Sequence, residues 1–166
     1  MLSKKLNYLF DMNQPVRKVL KTDLPALKQV LDSIELFPSS MLEAMISDYL
    51  NNPQTQDIWF TKVKDGQAVS LGYCAPEKFT EGTYNLYAIG VKGDLQGQGI
   101  GGEMMEFIEQ YLQQNGQRIL IVETSGTPDF ELTRNFYLKQ QYTAEATIRE
   151  FWKPGDDKVI FWKKLN

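Results

Sequence analysis

Five glycines fall within the ten residues 93–102, and a helical pattern begins where they end. In "DLQGQGIGGEMMEFIEQYL" (94–112), Ile100, Met104, Phe107, Ile108, Tyr111 and Leu112 recur at the spacing of one apolar helix face. The apolar run "YNLYAIGV" precedes the loop and "RILIVE" follows the helix, so this stretch reads strand, glycine loop, crossover helix, parallel strand. Backbone N–H groups gathered at a helix N-terminus, with no Cβ in the way, make an uncharged anion site suited to phosphate. This unit therefore constrains both the topology and the ligand.

The loop supports two cofactor readings. Gly97, Gly99 and Gly102 spell G-x-G-x-x-G, with Glu123 about twenty residues on as a ribose ligand for a dinucleotide. Gln96, Gly99 and Gly101 spell Q-x-x-G-x-G. A dinucleotide fold places its first glycine at the strand end, yet "KGDLQ" separates Val91 from Gly97. It also needs further parallel strands after the acidic residue, whereas the remaining chain offers a short helix and a hairpin. Glu103-Met104 after Gly102 excludes a Walker loop.

Elsewhere, "VRKVLKT" reads as a first strand. It precedes a helix with Thr22 or Asp23 as cap, Pro25 in its first turn and Leu24, Leu27 and Leu31 on one face. A second helix carries Met41, Leu42, Met45, Ile46, Tyr49 and Leu50. "DIWFTKV" and "AVSLGYCAP" form a hairpin across Asp65-Gly66, and Asn115-Gly116 closes the helix after the glycine loop. "DFELTRNFYLK" is a short helix, and "YTAEATIREFW" with "KVIFWKKL" closes the fold. The expected fold is α/β (α+β), a mixed sheet of about seven strands with about four helices. Residues 1–15 are read as an N-terminal extension and 16–166 as the domain.

Composition removes several functions. The chain has no histidine, which excludes imidazole bases, Ser-His-Asp and Cys-His catalysis and histidine metal sites. Its single cysteine, Cys74, in an apolar strand, reads as a buried packing residue and excludes a Cys-rich metal centre, so no metal is expected. Eighteen Lys and Arg against 21 Asp and Glu, without a basic stripe, give nucleic acid no electrostatic footing. With neither a convincing signal peptide nor an apolar run near the ~20 residues of a membrane span, the expectation is a cytoplasmic protein without a membrane partner.

The strand "NLYAIGV", the loop "KGDLQGQGIGG", the strand "ILIVETS" and the later "TRNFYLKQQYTA" together resemble the GNAT superfamily of acyl-CoA-dependent N-acetyltransferases over about residues 16 to 165. The resemblance carries no assigned acceptor. It implies that the fourth and fifth strands are splayed, with the pantetheine arm of acetyl-CoA, the cosubstrate, along Ile89, Gly90 and Val91. The pyrophosphate is then held by Gln96, Gly97, Gln98, Gly99, Ile100, Gly101 and Gly102, with Phe136 on the cofactor side. Tyr137 takes the role of acid for the leaving thiolate. The chain departs from the family pattern at Phe130, where an Asn is common, and at Gln141, where a Gly is usual.

With no histidine, the carboxylates considered as general base are Glu81 and Glu123, with a water chain as the alternative. The resemblance implies an acceptor side built from "LFPSSM" and "REFWKPGDD", with Phe37, Met41, Phe151 and Trp152 as an apolar wall and Glu35 or Asp156 attracting an ammonium. The expected activity is acetyl transfer to a primary amine of a small molecule or peptide, by direct attack in a ternary complex. A non-catalytic acyl-CoA-binding module is the alternative, and a dinucleotide-dependent oxidoreductase a weaker one. Assembly as a homodimer stays open at this point.

Overall fold

The computed structural model describes residues 15–165. The extension read over 1–15 lies, through residue 14, outside the described residues. The strands are β1 (Val16–Lys18), β2 (Ile58–Lys64), β3 (Gln67–Ala68), β4 (Ser70–Pro76), β5 (Thr83–Val91), β6 (Ile119–Ser125), β7 (Thr143–Lys153) and β8 (Asp156–Lys164). The α-helices are α1 (Leu24–Asp32), α2 (Leu42–Asn51), α3 (Ile100–Gln114) and α4 (Glu131–Lys139). The sheet order is β1-β2-β4-β5-β6-β8-β7, with β3 paired to β2. Contacts divide the chain into two compact units: one runs to Cys74 and includes Ala88–Ile108, and the other joins Ala75–Tyr87 to the chain from Glu109.

In the first unit, β1 and β4 flank β2 in antiparallel ladders. Its core gathers Val19, Leu27, Leu31, Leu42, Ile46, Trp59, Ala68, Leu71 and Ala88, so the leucine stripe of α1 and the Leu42/Ile46 face of α2 are buried as their spacing predicts. Asp23 precedes α1, but its carboxylate makes no helix cap. It takes two bonds from the buried Arg17 guanidinium, at 2.7 and 3.0 Å, and one from the Leu20 N–H at 2.7 Å. The basic residue of the first strand is thus an interior partner, because a buried guanidinium requires a carboxylate.

The turn at Asp65-Gly66 has both residues at positive φ, 51° and 78°, the geometry of a two-residue hairpin. The eighth strand arises just after it. Ala68 pairs with Val63, but Gly72 pairs with Phe60, a one-residue change of register that divides "QAVSLGYCAP" into β3 and β4. At this step the Ser70 hydroxyl accepts the Lys62 N–H at 2.7 Å, a side-chain bond that sequence periodicity does not announce. Gly72 lies under the Phe60 ring, where an added Cβ would sit 2.3 Å from a ring carbon.

In the second unit, β5 and β6 pair in parallel, β6 and β8 antiparallel, and β7 and β8 antiparallel with irregularities near Ala144/Ala146 and Ile148/Lys153. Its interior includes Leu86, Leu112, Leu120, Val122, Tyr137, Tyr142 and Phe161. Asn115-Gly116 ends α3 as expected: Gly116 has φ 77°, and the Gln117 N–H bonds Leu112 O at 2.9 Å. Among the described residues, no helix is long and apolar enough to cross a membrane, and no group of three His, Cys, Asp or Glu side chains could hold a metal.

Candidate active site

The β5–β6 ladder runs from Thr83↔Ile119 to Leu86↔Val122, while β5 continues to Val91 and β6 to Ser125. The last residues of β5, Ile89, Gly90 and Val91, are half-buried. A Cβ on Gly90 would lie 2.4 Å from Ile34 Cδ1 and 3.2 Å from Leu36 Cδ2, so glycine here makes room for side chains of the segment after α1. The approach is by side chains, not by another backbone.

Past Val91, a short turn at Gly93–Leu95 leads into the loop, and the Gln96 side-chain amide donates to Val91 O at 3.1 Å, tying the loop to its strand. Gly97 and Gly99 have φ of 75° and 84°, and the Cβ position of each has no atom within 4 Å. Left-handed backbone facing open space twice in three residues is where an L side chain would both strain the chain and fill the cradle. Gly101 and Gly102 differ: they lie in the first turn of α3, so positive φ is confined to the first two glycines. Ile100 is buried and Gln98 exposed.

The Glu103 N–H reaches Gly99 O at 3.1 Å, so the N–H groups of Ile100, Gly101 and Gly102 precede the first intrahelical bond and are available to an anion. Glu103 would oppose an anion there, but its carboxylate is paired with Lys62. The dinucleotide reading fails on this geometry. Five residues, a turn among them, separate the strand from Gly97, and the next neighbour of β6 in the sheet, β8, is antiparallel.

In the second unit, Tyr137 on α4 is 3% exposed, with its ring against Phe136 (5.2 Å), Phe161 (5.4 Å) and Tyr142 (6.0 Å). Among the described residues its hydroxyl has no protein hydrogen-bond partner. Burial pushes its pKa far above that of an ordinary phenol, so it stays protonated through neutral pH. The approach to α4 is rigid. Ser125 Oγ donates to Asp156 at 2.6 Å and accepts the Thr127 N–H at 3.1 Å, and Arg134 Nη1 donates to Ser125 O and Thr127 O, both at 2.7 Å. Asp156, expected to attract an ammonium, is buried and committed to this network instead.

Glu123 is paired with Lys158 at 3.2 Å, and the Lys158 ammonium sits 3.7 Å above the Phe151 ring. Phe151 and Trp152 meet edge to face at 4.8 Å, and each stays about half exposed. These two aromatics and Glu123 therefore belong to one cluster around Lys158. Glu81 is exposed; its main-chain oxygen, not its carboxylate, accepts from Arg118 at 2.8 Å. Phe37 packs against the core of the first unit and lines a shallow depression of about 390 Å³, while Met41 is 49% exposed. Cys74 is buried, and burial raises its thiol pKa, which removes it as an acyl carrier.

Residues 18–142 match the sequence profile of the acetyltransferase (GNAT) family. The chain belongs to this family. Its structure resembles that of a GNAT-family protein from Desulfovibrio desulfuricans, with TM-score 0.84 and 26% identity over 91% of this chain and 98% of the other. The ribosomal-protein-S18-alanine N-acetyltransferase of Escherichia coli shares the fold at TM-score 0.72 and 17% identity, covering 91% and 93%. An aminoglycoside 6'-N-acetyltransferase solved with coenzyme A does so at 0.68 and 13%, covering 92% and 98%. No curated protein sequence matches the chain significantly.

The two departures from the GNAT pattern have structural readings. Phe130 lies just before α4 and is 44% exposed, with no amide to offer a ligand. Gln141 occupies the left-handed position that ends α4: its φ is 65°, its N–H bonds Leu138 O at 3.0 Å, and the Tyr142 N–H bonds Tyr137 O at 3.0 Å. A glutamine there is strained where glycine is not, so Gln141→Gly is expected to stabilise the protein by about 0.5–1 kcal/mol, raising Tm by roughly 2–4 °C in a thermal melt.

Three further residues of this GNAT chain form a cluster that motif reading passes over. Asn85 Nδ2 donates to Glu77 Oε1 at 2.7 Å, and the Tyr87 hydroxyl donates to the same oxygen at 3.2 Å. The sequence signal is slight: one asparagine inside the apolar run "TYNLYAIGV".

Proposed function

We propose that this protein transfers the acetyl group of acetyl-CoA to a primary amine of a small molecule or peptide, by direct attack in a ternary complex. The observation that carries the reading is the loop at Gln96–Gly99, where two left-handed glycines face open space ahead of three unpaired helix N–H groups. Those donors take the pyrophosphate, Gln96 holds the loop to the strand, and the main chain of Ile89–Val91 aligns the arm. Acetyl-CoA supplies the thioester.

Tyr137, protonated and without a protein partner, gives its proton or a hydrogen bond to the sulfur as the thiolate leaves. The amine must lose a proton before it attacks. In this reading that proton passes to Glu123 or Glu81, directly or through water, while Phe151 and Trp152 supply apolar contacts for the acceptor.

The test is ligand-dependent stability, because a ligand that binds the folded state alone raises Tm in proportion to occupancy. Acetyl-CoA or CoA at about a hundred-fold excess over Kd is expected to raise Tm by roughly 5–10 °C, and NAD and ATP to leave it unchanged. Equal stabilisation by NAD would overturn the cofactor assignment.

A further inference from the structure

Glu77 follows β4 directly, and its backbone is pinned by an N–H bond to Thr83 O at 2.9 Å. Its carboxylate takes two neutral donors, Asn85 Nδ2 and the Tyr87 hydroxyl, both on Oε1. Among the described residues none of the ion pairs includes it. A carboxylate accepts and does not donate, so the bond to Glu77 fixes which end of the Asn85 amide faces it. The other end, Oδ1, is then left buried without a partner, on a residue only 2% exposed. An orphaned buried carbonyl is uncommon because it costs free energy, and here it adjoins a half-compensated carboxylate.

Asn85 and Tyr87 point to the same side of β5, two residues apart. Tyr87 is the first β5 residue past the last β5–β6 pair, and its side chain is 51% exposed. Burial first, then the charge and hydrogen bond of Glu77 and the charge of Glu123, push its phenol up to about 12. Glu123, whose charge also bears on this phenol, is paired with Lys158 at 3.2 Å. Among the described residues, the cluster therefore holds one carboxylate without a cation, one amide oxygen without a donor, and a half-exposed aromatic ring.

We propose that Glu77, with Asn85 and Tyr87, seats the ammonium group of the acceptor amine, and that the acceptor presents a single cation there. This rests on the acetyl-transfer reading. An ammonium brings three N–H donors and one positive charge, which match the Glu77 carboxylate, the Asn85 oxygen and the Tyr87 ring. With Glu123 already paired, a second ammonium of a polyamine finds no partner in the cluster.

The probes are 2-phenylethylamine, a cation at neutral pH, and its neutral isostere 2-phenylethanol, followed by saturation-transfer NMR on protein saturated with CoA. Saturable binding of the amine is expected, with the alcohol weaker by roughly ten-fold or more and a similar loss for the amine in Glu77→Gln. Tyr87→Leu, which removes the ring at a half-exposed position, is expected to weaken the amine several-fold. Melting curves check that both variants fold. No saturable amine binding, equal binding of amine and alcohol, or wild-type binding by folded Tyr87→Leu or by folded Glu77→Gln overturns the ammonium seat. CoA occupancy is read in the same samples by its thermal shift. Failure of CoA to bind would bring down both readings, whereas intact CoA binding with an amine indifferent to Glu77 would overturn the seat alone.

Discussion

Tyr137→Phe is expected to lower the rate of acetyl transfer by about 10²-fold or more while leaving acetyl-CoA affinity unchanged, the scale of a lost general acid. The substitution removes one oxygen. The ring keeps its contacts with Phe136, Tyr142 and Phe161, and the hydroxyl has no protein partner among the described residues to lose. Single-turnover kinetics with an accepted amine isolates the chemical step, and calorimetry gives the affinity. A fully active Phe variant would return Tyr137 to the status of a packing residue.

The same phenol predicts a pH signature. Because burial raises its pKa, it stays protonated as pH rises from neutral, so turnover should climb toward alkaline pH with the fraction of free amine. The stability consequence has a definite sign. A neutral phenol buried in the folded state contributes stability that is intact below the unfolded-state value of about 10 and is lost as pH rises beyond it, since the unfolded chain ionises first. Alkaline melts of wild type should therefore fall more steeply above that pH than those of Tyr137→Phe.

Gly101→Asp is expected to abolish stabilisation by CoA, with a loss of affinity of at least about 10²-fold. A unit charge about 4 Å from one phosphate charge costs roughly 4 kcal/mol at an effective dielectric of 20. Gly101 is the right position because it lies in the first turn of α3, where helical backbone accepts any L residue and an acidic side chain favours the helix N-terminus. The fold should therefore survive. The same change at Gly99 would mix charge with strain, its φ being 84°. Titration of CoA against both proteins measures the effect; normal binding by the variant would mean that the loop holds something else.

Much of this protein was legible before any coordinates. Periodicity of 3.6 located α1, α2 and α3, Asp65-Gly66 marked a hairpin turn and Asn115-Gly116 the end of α3, and the strand–loop–helix spacing set the glycine loop apart from a dinucleotide fingerprint. These signals are local: each depends on residues within a few positions of one another, so linear order suffices to read them. The resemblance to the family rested on the same stretch, where glycines precede a helix.

What linear order could not decide was which polar side chains meet. Arg17, in the first strand, is buried on Asp23. Asp156 looked like a surface charge and is bound to Ser125, thirty-one positions away. Glu123 looked like an unclaimed carboxylate and is paired with Lys158 across the β6–β8 ladder. Glu77, in a polar loop, carried no motif, yet it is the carboxylate that Asn85 and Tyr87 bond. Charge compensation depends on which strands become neighbours and in what register, and those pairings join residues far apart in the chain. The sequence by itself determined the elements and the glycine loop. The tertiary structure decided which carboxylates are already paired with a cation, because that depends on which strands become neighbours.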